Sequence, residues 1–129
     1  MSELTEIEPA LRAVLVAQAK RGECIRYREL AAEAQVPPPH TIHKTAEALE
    51  EIARADHHAG RPLLATLAVG KANGGLPGPG FFQLLRELGR YDGPDGGEPA
   101  AEAHARELEA ALAYWGRPSE APSEESEPA

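Results

Sequence analysis

Apolar residues recur at Ile7, Leu11, Val14 and Leu15, the i, i+4, i+7, i+8 spacing of one helix face. Thr5 and Glu8 have capping-box spacing, and Pro9 suits a first helical turn. Lys20 and Arg21 complement the negative end of the helix dipole, and Gly22 can take a left-handed cap, so the helix is expected to close there. Residues 23–26 read as a short link. In residues 27–34, YRELAAEA, Leu30, Ala31 and Ala34 share a face and predict a short second helix. Val36-Pro37-Pro38-Pro39 must break it, because proline lacks an N–H and clashes with the preceding turn, but Pro39 can open a new helix. That helix has the clearest periodicity in the chain. Ile42, Thr45, Ala46, Leu49, Ile52 and Ala53 form a stripe, and His43, Lys44, Glu47, Glu50, Glu51 and Arg54 face elsewhere. Residues 56–60 end it.

Residues 63–69, LLATLAV, are apolar with neither cap nor alternation and lie between Pro62 and Gly70, which predicts a buried strand. Residues 70–82, GKANGGLPGPGFF, hold five glycines and two prolines. They read as a turn that brings Phe81 and Phe82 back into the core, with Lys71 and Asn73 at the exposed tip of a wing. Phe81, Phe82, Leu85 and Leu88 predict a helix stopped at Gly89, residues 91–99 a loop, and Pro99 the start of a last helix. On that helix His104, Leu108, Ala111, Leu112 and Trp115 share a face. The expected fold is mainly α: a winged helix-turn-helix with a small β element and additional C-terminal helices. Residues 1–116 form one globular domain in this reading. Residues 117–129, RPSEAPSEESEPA, lack large apolar groups and are expected to be a disordered acidic tail.

Composition sharpens this picture. The chain has 129 residues, enough for a single core, and with 5% aromatics that core must be mostly Leu, Ala, Val and Ile. The formal net charge is −8. The tail carries four glutamates against one arginine, leaving 17 acidic and 12 basic groups in residues 1–116. Such a body argues against nonspecific, charge-driven nucleic-acid binding, though it can carry a small basic patch. Cys24 is the sole cysteine, so no intrachain disulfide forms, and a reducing, cytoplasmic setting is expected. The start, MSELTEIEP, lacks the basic flank and apolar run of a signal peptide, and no apolar run is long enough to cross a membrane.

The candidate chemistry is sparse. Gly70-Lys71 stands at the wrong end of its loop for a P-loop, and GxGxxG is absent, which leaves only the helix start after Gly80 as a phosphate feature. His40 and His43, at i, i+3, and the adjacent His57 and His58 do not complete a zinc set with one thiol in the chain. Cys24 has Arg26 and Arg28 as sequence neighbours but no histidine placed beside it, so it reads as a small core residue. His104 reads as an edge-of-core residue. No catalytic residue, metal or cofactor is expected.

Binding is the remaining class. In a helix-turn-helix the first residues of the recognition helix reach base edges. Here those are His40, Thr41, His43 and Lys44, with Arg26, Tyr27 and Arg28 placed to hold phosphates and Lys71 and Asn73 to touch from the wing. Glu47, Glu50 and Glu51 oppose that role one to three turns further on. Two partners are therefore carried forward. One is double-stranded DNA, and the other is a protein that uses the acidic surface and tail as the contact. The face on which the cations gather distinguishes them.

Several stretches together resemble the DNA-binding domain of the alkylguanine-DNA alkyltransferases and alkyltransferase-like proteins. They are Tyr27-Arg28-Glu29-Leu30-Ala31, Pro37 to Pro39, Ala46-Glu47-Ala48-Leu49, Asn73-Gly74-Gly75-Leu76 and Leu84-Leu85-Arg86-Glu87-Leu88-Gly89, spread over residues 5–90. The resemblance implies a winged helix that contacts DNA. It also puts the family's Pro-Cys-His-Arg motif on Ala65, Thr66, Leu67 and Ala68, and its intercalating arginine near Ile42. Nucleophile, histidine and arginine are all missing, so the resemblance implies no alkyl transfer by this chain.

Overall fold

The computed structural model describes residues 3–70 and 76–116. Among these residues five α-helices dominate: α1 Glu3–Arg21, α2 Tyr27–Glu33, α3 Thr41–His58, α4 Pro79–Glu87 and α5 Gly97–Trp115. Two short strands, β1 Ile25–Arg26 and β2 Ala68–Val69, pair in parallel with Ile25 opposite Ala68. The fold is mainly helical, with this small sheet joining the start of α2 to the segment before the glycine-rich stretch.

Leu11 and Leu15 of α1, Leu30 of α2, Ile52 of α3 and Phe82 and Leu85 of α4 meet with no exposed surface. Leu63, Leu64 and Leu67 fill the centre between them. Burying each such side chain is worth about 1.5–3 kcal/mol, which is why the faces of α1 and α3 close on one another. The helix ends follow the sequence: Gly22 and Gly89 both adopt left-handed φ, +73° and +75°, where a side chain would strain the backbone.

Three expectations are corrected. Helix α1 begins at Glu3, so Pro9 lies inside it and not in a first turn. Glu6, in the first turn of this longer helix, favours the positive end of the helix dipole. Pro39 does not open α3; that helix starts at Thr41, after a cis Pro38–Pro39 bond and a left-handed His40 at its N-cap. The predicted strand 63–69 is mostly a 3-10 turn, Leu64–Leu67, with only Ala68–Val69 extended. Every residue of that run is buried, so it has no two-faced alternation to hold it straight, and its one strand partner is two residues long. The expected wing tip, Lys71 and Asn73, and the expected acidic tail, residues 117–129, lie outside the described residues.

A polar knot fastens α3 to α1 and to the 3-10 turn. Asp56 of α3 is fully buried. Its carboxylate accepts from Arg12 of α1 at 2.9 Å, from Arg61 at 2.9 Å and from the Leu64 backbone N–H at 3.1 Å. The guanidinium carbons of Arg12 and Arg61 stand 5.8 and 5.5 Å from the Trp115 ring, whose Nε1 donates to the Pro62 carbonyl. The carboxylate thus loses its water but gains three donors, as a buried charge requires.

Candidate functional site

Three adjoining depressions form one groove along α3. The first lies at the start of α2 and is bounded by Arg26, Tyr27, Arg28, Glu29, Ile42 and Gly70, with a volume of about 300 Å³. The second, of about 170 Å³, runs between α3 and α4, over Ala46, Leu49, Ala65, Phe81 and Leu84. It shares Tyr27 and Ile42 with the first. The third is polar and adds Arg54, Gln83 and Glu87 to the shared Glu50, Gly80 and Leu84. At 1.5 Å per residue, the α3 wall from Ile42 to Glu50 is about 12 Å long.

The groove stays open because of its glycines. A Cβ added at Gly80 would meet only the Glu50 carboxylate, at 3.9 Å, and one at Gly78 would touch the Tyr27 ring at 3.8–3.9 Å. Neither residue has a left-handed backbone, so what a side chain here would change is the width of the groove. Tyr27 forms the wall opposite. Its hydroxyl accepts from the Gly78 backbone N–H at 2.9 Å, and burial pushes its phenol pKa up. Ile42, in the first turn of α3, is 46% exposed. It was expected on the buried stripe with Ala46, but both residues face outward. The buried face instead runs through Thr45, Ala48, Leu49, Ile52, Ala53 and Asp56.

The charged ends differ in sign. Arg26 and Arg28 are exposed and have no ion-pair or hydrogen-bond partner among the described residues, against one carboxylate, Glu29. At the other end Arg54 bonds Glu87 and lies 3.9 Å from Glu50. Its guanidinium holds the Glu87 carboxyl below the usual range. Two carboxylates around one guanidinium leave that end negative.

Of the residues expected to touch DNA, Arg26, Tyr27 and Arg28 gather at the groove's basic end. His40, Thr41, His43 and Lys44 stand around the first turn of α3, and Lys71 and Asn73 lie outside the described residues. His40 is exposed at the N-cap, and the half-buried Thr41 gives its carbonyl to the Thr45 hydroxyl. His43 pairs with Glu47 at 3.1 Å, and Lys44 donates to the Pro37 carbonyl at 3.0 Å. Two of the expected readers are therefore already engaged within the chain.

The remaining candidates contribute little chemistry. Cys24 is half-buried and not a core residue, and its burial raises the thiol pKa, away from nucleophilic thiolate. Thr66, where the alkyltransferase resemblance would put a nucleophile, is fully buried, and its hydroxyl has no hydrogen-bond partner among the described residues. No group of three His, Cys, Asp or Glu residues that could hold a metal occurs among the described residues. None of their helices is long and apolar enough to cross a membrane. No family model, curated protein or solved structure matches the chain.

Sequence reading missed the groove. Its apolar lining comes from four separate segments, around Tyr27, Ile42 to Leu49, Ala65 and Gly78 to Leu84, which no local spacing links.

Proposed function

We propose that this chain is a non-catalytic protein-interaction module on a winged helix-turn-helix plan, receiving its partner in the groove between α3 and α4. The order α1, α2, tight turn, α3, with the β1–β2 pair behind it, supports the plan. One observation carries the binding reading: Ile42, the large hydrophobic residue left exposed among the described residues, stands at the mouth of an apolar groove. An exposed apolar side chain that continues into an apolar cleft marks a surface that a partner covers.

Double-stranded DNA is the second reading. Arg26 and Arg28, which have no partner among the described residues, favour it, with Tyr27, His40, Thr41, His43 and Lys44 as further contacts and Lys71 and Asn73, outside the described residues, as the expected wing contacts. The net charge of −8 and the carboxylates of Glu47 and Glu50 weigh against it.

Selection of displayed random peptides on the full chain tests the first reading, with Ala46→Trp filling the groove from an exposed position. Peptides that bind the wild type and lose Ala46→Trp support it. Absence of any groove-dependent peptide, together with salt-sensitive binding of a labelled duplex between about 50 and 200 mM salt, transfers the function to DNA.

A further inference from the structure

The two ends of the groove carry opposite charge, and the apolar centre lies between them. We infer that the partner segment is itself charge-polarised: an acidic residue, then an apolar anchor, then a basic residue, seated in one direction along α3. This inference rests on the groove being a protein-docking site.

The basic end is set by Arg26 and Arg28, which lack partners among the described residues and can offer their donors to a carboxylate. The anchor fills the space beside Ile42 that Gly78 and Gly80 leave open. At the far end Arg54 already serves two carboxylates, Glu50 and Glu87, so a cation is favoured there and an anion is not. A wall of about 12 Å matches three to four residue steps of an extended segment at about 3.3 Å each, which sets the charges about two positions either side of the anchor. DNA is anionic along its whole length and cannot satisfy the Glu50 end. The chain's own residues 117–129 offer glutamates but no large apolar group for the centre.

The test takes the groove-dependent peptides from the selection above and reads their sequences and affinities. Two double variants are used, Arg26→Glu with Arg28→Glu and Glu50→Lys with Glu87→Lys; all four side chains are exposed, and near-ultraviolet circular dichroism checks that each variant folds. The expected peptides carry Asp or Glu on one side of an apolar residue and Lys or Arg on the other, in a constant order. Each double variant should weaken them about tenfold, and selection on either variant should invert the preferred charge at that end only. Groove-dependent peptides with no ordered charges, or affinities unmoved by both double variants, overturn the inference while leaving the docking site standing. Peptides acidic at both ends overturn it too. A concentration-dependent dimer in sedimentation that Ala46→Trp abolishes makes a second copy the occupant and overturns it as well. Absence of groove-dependent binding removes the docking site itself.

Discussion

The backbone N–H of Gly78 donates to the hydroxyl of Tyr27 across 51 positions of sequence, at 2.9 Å. That single bond ties the start of α2 to the N-cap of α4 and sets the width of the groove between them. Tyr27→Phe keeps the ring but removes the acceptor, so it should cost about 1 kcal/mol in urea unfolding. Because burial raises the Tyr27 pKa, alkaline difference spectra of the wild type should show a tyrosine ionising late, and that component should vanish in the variant.

Asp56 ties α1, α3 and the 3-10 turn together. Asp56→Ala would strand the buried Leu64 N–H and remove the shared partner of Arg12 and Arg61. A loss of about 3 kcal/mol is expected, at the low end for a broken buried pair because both arginines still reach water. Urea unfolding measures it. A loss near zero would mean that Asp56 is not the tie between these elements.

Gly80 separates stability from binding. It lies in the first turn of α4 without a left-handed backbone, and an added methyl meets nothing closer than 3.9 Å. Gly80→Ala should therefore stabilise the fold by about 0.5–1 kcal/mol. It should also narrow the groove and weaken groove-dependent peptides. A variant that is more stable and binds equally well would place the contact elsewhere.

His104 makes stability pH-dependent. Its ring is buried against Phe81, and Nε2 must donate to the Thr66 carbonyl, 3.0 Å away, because a carbonyl only accepts. Burial holds its pKa below the ordinary 6.5, the hydrogen bond to Thr66 only partly opposing that. The fold thus favours the neutral ring. Its contribution is complete above pH 6.5 and is lost as the pH falls towards the depressed folded value. Urea midpoints at pH 8 and pH 5 should fall further for the wild type than for His104→Asn.

Much of this architecture was legible in the sequence. The 3.6-residue stripes of α1 and α3, the stops at Gly22 and Gly89, and the burial of Phe81 and Phe82 follow from local spacing, which the chain carries within a few residues. The 3-10 turn at Leu64–Leu67 was hidden because a run buried on every side shows no period. Asp56 was hidden for a different reason. It looked like a helix terminator, and the partners that make its burial tolerable stand 44 residues before it and 5 and 8 after it. Ile42 fitted the helical stripe by spacing, yet α3 turns it outward. The groove exists only once α2, α3 and α4 are assembled around Tyr27 and Gly78.

Trp115 is the chain's single tryptophan, and it sits where α5 meets the Asp56 knot, with Arg12 and Arg61 beside its ring and its indole N–H on Pro62. The protein therefore has a built-in optical reporter. Its emission comes from one junction, free of overlap from any other indole. Loosening of α5 from α1 would shift that light to the red before the rest of the helices need melt, so the order in which this fold comes apart can be followed without attaching a dye.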